Sequence, residues 1–221
     1  MSLSPSSSSL QLHQRLTHNM ANKMAADYEL IYWPGLPGRG EFIRLAFEEA
    51  GVKYTDKALT DPDAAVNEVQ KLTGDNVGNE INPPFFACPI LRHGDFLISQ
   101  TPNILQYLAP RIGLGPAEGA GFYHLNGLAL TILDGLSNEA HDTHHPVSVA
   151  LYYEEQKEES KRRAKDYTKG RLPKFFGHFE NVLKGKKSGD GPWLYGGELT
   201  YVDLVLFQVC FLHTSTGNHG L

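Results

Sequence analysis

The stretch ACPILRHGDFLISQTPNILQYL, residues 87–108, contains two apolar runs, a tight turn between them and the start of a helix. The residues Arg92-His-Gly-Asp95 between the two runs predict a β-hairpin turn. The triplet Gln100-Thr101-Pro102 then predicts a helix from Pro102 to Pro110 with Thr101 as its N-cap. A hairpin followed at once by a helix is the closing part of a mixed α/β unit.

The residues before this stretch supply the rest of that unit. The segment YELIYW, residues 28–33, predicts a strand, and the following PGLPGRG breaks it. The segment 41–51 has apolar residues at helical spacing, and Gly51 ends that helix. A short strand in VKYTDKA and a helix in DPDAAVNEVQKL complete the order βαβαββα across residues 27–112. This order resembles a thioredoxin-type α/β domain.

The remainder, residues 117–221, predicts an all-α domain, with a boundary at Gly113–Pro116. Its last apolar segment begins at Thr200-x-x-Asp203, which resembles a capping box with Asp in place of Glu. The final residues CFLHTSTGNHGL do not continue the apolar period of that helix. We therefore expect a helical domain that is incomplete at its C-terminus, apparently truncated.

Composition excludes several classes of function. The 221 residues are 41% hydrophobic with a net charge of −5, which argues against a general nucleic-acid binder. No apolar run approaches about 18 residues, so no spanning helix is predicted, and we expect neither nucleic acid nor a membrane as a partner. The two cysteines form no CxxC motif, which disfavours a disulfide framework, a thiolate zinc site or a dithiol centre and favours a reducing, cytoplasmic compartment.

The first 26 residues differ from the rest of the chain. They are rich in Ser, include Arg15 and Lys23, and lack any acidic residue before Asp27. This composition is typical of an organellar targeting segment. The alternative is a disordered extension. In either case residues 1–26 are expected to lie outside the folded domain.

Two polar features flank the hairpin. Pro89 cannot donate to a β-ladder, so it belongs at the start or edge of a strand. If the Cys88–Pro89 bond is cis, the main chain of Cys88 can pair with an extended peptide as an added strand does. At the helix start, Thr101 either caps the helix and does nothing more, or its hydroxyl and the free N–H groups bind a carboxylate.

Tyr32 ends the first predicted strand, where ligands bind in open α/β sheets. Its phenol either reaches a ligand or belongs to the core, and Trp33 and Tyr28 compete for the same role. Asp134 lies within an apolar helix and therefore needs a partner or water, which suggests a cleft or a subunit interface.

The segment that follows Glu139 holds a histidine cluster, His141, His144 and His145. Its spacings of three and four residues could bring ligands together on one helix face. There is no HExxH motif, however, and no matching ligand cluster elsewhere in the sequence. We expect a polar helix end and no metal site.

Three segments together resemble the glutathione transferases, especially the tyrosine-type cytosolic classes near sigma. YELIYWPGLPGRGEFIRLAFEEAGVKY resembles the opening of that family. ACPIL with LISQTPNILQYLA resembles its cis-proline strand and helix start, and LTYVDLVLF resembles the capping motif of its helical domain. The resemblance extends from Tyr28 to Val209. It implies a glutathione-binding domain over residues 27–112 and a helical domain over residues 117–221.

The resemblance also implies site roles. Tyr32 would be the catalytic residue and would donate a hydrogen bond to the sulfur of glutathione. Cys88 and Pro89 would present main-chain groups to the cysteinyl part of glutathione, whereas Gln100 and Thr101 would hold its γ-glutamyl carboxylate. Thr101 replaces the usual Ser and keeps the hydroxyl.

Two further residues are carried over from the family. Arg39 matches an arginine after the catalytic loop, with a structural or electrostatic role. Asp134 lies near an acidic residue that reaches the glutathione of the neighbouring subunit in a homodimer. The implied activity is attack of the glutathione thiolate on small electrophiles, with glutathione as co-substrate and no metal. The alternatives are a non-catalytic binding or scaffold protein and a glutathione-dependent peroxidase or isomerase.

Overall fold

The computed structural model describes residues 28–216, and for residues 212–216 it describes the main chain alone. The predicted N-terminal extension, residues 1–26, lies outside the described part. The chain divides into two compact units, residues 1–104 and residues 105–221. The first is a sheet unit and the second is a helical unit.

The sheet unit has four strands in the order β2-β1-β3-β4. Strands β1 and β2 are parallel, and the other two pairs are antiparallel. The strands are β1 (Tyr28–Ile31), β2 (Thr55–Asp56), β3 (Ile90–His93) and β4 (Phe96–Ser99). The helices are α1 (Glu41–Ala50), α2 (Lys57–Thr60), α3 (Pro62–Thr73) and α4 (Thr101–Ile112), and a single 3-10 turn occupies Gly38–Gly40. The predicted mixed α/β class is confirmed, with α2 as an additional short helix.

Local sequence signals explain most of these boundaries. Gly51 ends α1 with a left-handed φ of 62°, and the Asp61 carboxylate caps α3 by accepting from the N–H of Ala64 at 3.0 Å. Strand β1 is shorter than predicted, because its pairing with β3 ends where Ile31 meets Ile90. Tyr32 and Trp33 therefore follow the strand instead of belonging to it.

The two faces of the sheet pack against different helices. On one face, the ring of Tyr28 lies 5.3 Å from that of Phe47 in α1. On the other face, Ile31 belongs to an apolar cluster with residues of α3 and of the segment before β3, and its buried members are Ile31, Val69, Leu72, Phe85 and Ile90. The alternation of side chains along β1 thus separates two half-cores.

A network of four charged side chains lies on the same face of the sheet as Ile31. Lys57 lies 3.2 Å from Glu29 and 2.8 Å from Glu68, and Arg92 contacts the same two carboxylates. The pKa of Glu68 is lowered although burial opposes this, because Lys57 and Arg92 both donate hydrogen bonds to its carboxylate. The network joins β1, α2, α3 and β3 at a partly buried position.

The helical unit contains five α-helices over its described residues, besides the part of α4 that it shares. They are α5 (Gly119–Leu130), α6 (Asn138–His144), α7 (Lys157–Asp166), α8 (Leu172–Lys184) and α9 (Tyr201–Thr216). Two π-helical segments, Thr131–Ser137 and Tyr167–Arg171, follow α5 and α7, and a 3-10 turn at Tyr153–Gln156 precedes α7. None of the helices in residues 28–216 combines the length and apolar character needed to cross a membrane.

The two π-helical segments are joined to each other. The hydroxyl of Tyr167 donates to the carbonyl of Leu136 at 3.2 Å. Arg171 makes a two-point hydrogen bond to the carboxylate of Glu139, with distances of 2.7 and 2.5 Å. Gly135 lies so close to Phe175 that a Cβ on Gly135 would be 2.8 Å from the ring. These contacts fix α8 against the segment that carries Asp134.

The predicted capping motif of α9 is present. Asp203 accepts hydrogen bonds from the N–H and the hydroxyl of Thr200, both at 2.8 Å. Its other oxygen accepts from the N–H of Leu194 at 2.8 Å. The carboxylate therefore caps α9 and also anchors the preceding Gly-rich loop.

Candidate functional site

The strand register places the predicted site residues at one end of the sheet. Ile31 pairs with Ile90, and Ile90 pairs with Ser99. The next residues beyond these pairs are Tyr32, Pro89 and Gln100. The carboxyl ends of β1 and β4 and the amino end of β3 therefore present their adjoining residues side by side.

Tyr32 lies beneath the loop that follows β1. It is 7% exposed, so its ring is buried as a core aromatic would be. Its phenol oxygen accepts a hydrogen bond from the main-chain N–H of Arg39 at 2.9 Å. Because this bond uses only an oxygen lone pair, the hydroxyl proton remains available for donation.

Two glycines allow this close packing. A Cβ on Gly38 would lie 2.4 Å from the phenol oxygen of Tyr32, and a Cβ on Gly40 would lie 2.8 Å from its Cδ1 atom. Gly38 also has a φ of 42°. The Gly-Arg-Gly sequence thus permits the main chain to wrap directly over the phenol.

The surroundings of Tyr32 keep its phenol protonated. Burial raises the pKa of Tyr32 above its usual value, and the hydrogen bond from the Arg39 N–H partly offsets this effect. The guanidinium of Arg44 lies 5.9 Å from the ring centre. A protonated phenol at neutral pH can act as a hydrogen-bond donor.

Arg39 connects Tyr32 to Thr101 through its main chain. The hydroxyl of Thr101 donates to the carbonyl of Arg39 at 3.3 Å, and Thr101 is 3% exposed. Helix α4 begins at Thr101 itself, one residue earlier than predicted. Gln100 takes the N-cap position, since its carbonyl accepts from the N–H of Ile104 at 2.9 Å. The expectation that Thr101 is the N-cap was therefore wrong.

Gln100 has a left-handed main chain, with a φ of 72°. It is the one non-glycine residue with positive φ in the described range. Its side chain is exposed. Such a conformation is unfavourable for a residue with a Cβ and is concentrated at ligand sites.

The Cys88–Pro89 peptide bond is cis, and Cys88 lies two residues before β3 begins. Its side chain packs against the apolar cluster beside Trp33. Burial raises the pKa of the Cys88 thiol, against the opposing effect of hydrogen bonds from the N–H groups of Trp33 and Cys88. A thiol of this kind is a poor nucleophile, so the main chain of Cys88 is the part suited to bind a ligand.

Asp134 belongs to the helical unit, where it is exposed on the first π-helical segment. Water can therefore solvate its charge. In the histidine cluster, the rings of His141 and His145 stack at 5.1 Å. Within residues 28–216, no group of three or more His, Cys, Asp or Glu side chains is arranged to hold a metal ion.

Sequence reasoning missed the role of Arg44. Its guanidinium contacts Glu41 at 3.0 Å, Asp56 at 2.5 Å and the carbonyl of Pro37 at 3.3 Å. It therefore ties α1 to the end of β2 and to the loop over Tyr32. The available signal was a cation within the otherwise apolar run FIRLAF, three residues after Glu41.

Known proteins resemble this chain over most of its length. The family model for the glutathione S-transferase C-terminal domain matches residues 141–219. The glutathione S-transferase of Plasmodium falciparum (isolate 3D7) is 29% identical over 187 residues, which cover 83% of this chain and 79% of that protein. Glutathione S-transferase Mu 2 of Mus musculus is 27% identical, with 83% and 75% covered.

Solved structures agree with this. The Pi-class glutathione S-transferase of Onchocerca volvulus shares the fold with a TM-score of 0.63 at 23% identity, and 87% of this chain and 80% of that chain are covered. A Nu-class enzyme of Haemonchus contortus has a TM-score of 0.57 at 26% identity, with 82% and 78% covered. These relatives carry several class names, so the sigma-like class stays a prediction. Fold, motif order and relatives agree, and together they support the glutathione S-transferase family for this chain.

Proposed function

We propose that this chain conjugates glutathione to small electrophiles and that Tyr32 stabilises the glutathione thiolate. The observation that carries the proposal is the position of the Tyr32 phenol. It is fixed by the Arg39 N–H at the sheet end where Cys88 and Gln100 also lie.

The chemical problem is ionisation of the thiol. A free thiol has a pKa of about 8.5, so little thiolate is present at neutral pH. A phenol that donates a hydrogen bond to the sulfur favours the anion and lowers that pKa. Each unit of lowering corresponds to about 1.4 kcal/mol. The raised pKa of Tyr32 suits this role, because the donor has to keep its proton.

The rest of glutathione would lie along the same sheet end. The N–H and C=O of Cys88 pair with the cysteinyl residue as an added strand, since Cys88 lies outside the β-ladder. The γ-glutamyl carboxylate lies at the start of α4, near the amide of Gln100 and the N–H and hydroxyl of Thr101. The 3.3 Å bond from Thr101 to the Arg39 carbonyl is long enough for the hydroxyl to turn to a carboxylate instead.

The reaction balances simply for an aryl halide. The thiol proton leaves to water, and the thiolate sulfur attacks the carbon that bears the halogen. A carbon–sulfur bond forms, and halide departs with the electron pair of the broken bond.

Arg39 contributes positive charge near the site, and Asp134 contributes to the glutathione site of a second subunit in a homodimer. The protein supplies thiolate stabilisation and proximity.

A second candidate function is binding without catalysis, and the 7% exposure of Tyr32 favours it. The test uses the full chain and its Tyr32→Phe variant. Retention on immobilised glutathione, with elution by free glutathione, measures glutathione binding. Turnover of an aryl halide measures catalysis.

We expect Tyr32→Phe to be retained on glutathione while turnover falls roughly 10- to 100-fold, the value of one hydrogen bond to an anion. Retention without turnover by the wild type would establish the binding protein. Equal turnover by both forms would exclude Tyr32 as the catalytic residue. Peroxide reduction or isomerisation in place of conjugation would assign the same bound thiolate to another reaction.

A further inference from the structure

Positive charge is concentrated in one part of the chain. Residues 161–187 contain ten of the 20 Lys and Arg residues but only two of the 25 acidic residues, Asp166 and Glu180. Ten cations against two anions give this segment a formal charge of +8, within a chain of net charge −5. The overall charge therefore conceals a strongly basic segment.

This segment lies along one continuous helical backbone and the turn after it. Helix α7, the second π-helical segment and α8 follow one another without a gap from Lys157 to Lys184. Four of the ten cations are in ion pairs, namely Lys161, Arg163, Arg171 and Lys184. Within residues 28–216 the other six make no ion pair, and all are exposed: Arg162, Lys165, Lys169, Lys174, Lys186 and Lys187.

Two apolar side chains are exposed among these cations. Phe176 is 37% exposed and Leu183 is 40% exposed. They are seven residues apart in α8, which places them on the same side of the helix. Lys184 follows Leu183 directly, whereas Lys174, two residues before Phe176, projects from the other side of α8. A helix that lies at a membrane interface combines exposed Lys with exposed Phe or Leu.

We infer that the six unpaired cations, together called the basic face, dock this segment on a membrane surface rich in anionic lipid, with Phe176 and Leu183 as additional apolar contacts. Five of the six cations are Lys, which acts as a compact point charge and does not need a fixed partner geometry. Nucleic-acid recognition favours the planar fork of Arg. The two apolar side chains would be buried at the boundary between headgroups and acyl chains.

This inference revises one expectation from the sequence. A membrane was excluded as a partner because no segment can span it. Surface docking requires no spanning helix, and it depends on local charge instead of net charge. The inference is independent of the proposed catalytic function, since the basic face shares no residue with the glutathione site.

The test is co-sedimentation of the full chain with lipid vesicles. One set is pure phosphatidylcholine, and the other contains roughly one third phosphatidylserine, which supplies the negative surface potential. We expect binding to the phosphatidylserine vesicles alone, weakening as added salt shortens the screening length. Failure to bind phosphatidylserine vesicles at low salt, or equal binding to both sets, overturns the inference.

Matched variants separate local charge from net charge. Lys165→Gln with Lys169→Gln removes two charges from the basic face and should lower vesicle affinity about 25-fold, at about fivefold per charge. Lys53→Gln with Lys71→Gln removes two exposed charges from the sheet unit and should leave affinity nearly unchanged. Equal losses in the two pairs would mean that net charge alone matters.

A third variant and a competitor test the choice of partner. Phe176→Ser with Leu183→Ser should weaken the part of vesicle binding that persists at high salt, and its melting temperature reports whether it folds. Duplex RNA is the competitor. Displacement of the protein from vesicles by RNA at equal phosphate concentration would assign the basic face to nucleic acid and overturn the membrane proposal.

Discussion

The main-chain N–H of Arg39 lies 2.9 Å from the phenol oxygen of Tyr32 and donates a hydrogen bond to it. The carbonyl of the same residue accepts from Thr101. One peptide segment thus holds two proposed site residues, and it does so with groups that every residue except proline possesses. The position of the phenol depends on the path of the loop more than on the side chain of residue 39.

The first prediction concerns that path. Gly38→Ala would place a Cβ 2.4 Å from the phenol oxygen, so we expect it to displace Tyr32 and to lower kcat roughly 10- to 100-fold, as loss of the phenol bond would. Gly35→Ala is the matched control, because Gly35 also has positive φ but has no atom within 4 Å of the added Cβ. Both changes should cost about 1–2 kcal/mol of stability through the left-handed main chain. Equal kcat values for the two variants would contradict the proposed contact.

The second prediction separates the two roles of Thr101. Thr101→Val removes the hydroxyl, and we expect the KM for glutathione to rise about tenfold or more while kcat at saturation changes little. Thr101→Ser keeps the hydroxyl and should behave as the wild type. Steady-state kinetics with varied glutathione measures both. An unchanged KM in the Val variant would restrict Thr101 to its bond with Arg39.

A third prediction concerns Asp203. Its carboxylate accepts three hydrogen bonds, from Leu194 and from two groups of Thr200. Asp203→Ala should lower the free energy of unfolding by about 2–3 kcal/mol, because a cap and a loop anchor are lost together. Asp203→Asn retains one acceptor and should lose less. Urea denaturation measures the difference, and equal losses in the two variants would mean that the charge alone matters.

The fourth prediction is a pH dependence. Hydrogen bonding from Arg171 holds the pKa of Glu139 below its usual value. The stabilisation is therefore complete above the unfolded pKa, near 4.3, and is lost as pH falls below it. Glu139→Gln should lower stability only modestly at neutral pH, because the Arg171 side chain is 40% exposed and water screens part of the attraction. The difference from the wild type should vanish in acid.

A matched pair supports that measurement. Glu180→Gln breaks an ion pair with Lys184 in which both side chains are largely exposed. We expect no measurable effect at any pH, because water screens such pairs. Thermal unfolding of both variants between pH 3 and pH 7, roughly the range over which carboxylates titrate, gives the comparison. A persistent effect of Glu139→Gln in acid would show that packing, and not charge, explains its cost.

The parts of the fold that local chemistry specifies could be predicted from sequence. The hairpin around Gly94, the end of α1 at Gly51 and the cap at Asp61 each depend on residues within one turn of the chain. The short helix α2 could not be predicted in this way. It exists because the side chain of Asp56, held by Arg44 from α1, accepts from the N–H of Ala58. That arrangement requires a contact twelve residues away.

In the candidate site, too, some features could be predicted from sequence and others could not. The identities of Tyr32, Cys88 and Gln100 follow from motifs and their order along the chain. The helix start was misplaced by one residue because the Thr101 hydroxyl bonds to Arg39, 62 residues away, instead of capping. The left-handed φ of Gln100 has no compositional signal, since glutamine is not a residue that favours it.

The π-helical turn at Tyr167–Arg171 has a consequence for how the long helix faces its neighbours. In a regular α-helix with 3.6 residues per turn, the buried residues Ser160 and Tyr167 would point in one direction from the helix axis. Phe175 and Phe179 would then point about 100° away from that direction. All four are nonetheless buried. The wide turn rotates the second half of the helix by about one residue, which realigns the two buried stripes. The number of residues in this turn, more than their identity, keeps the buried sides of both halves of the helix facing the same interior.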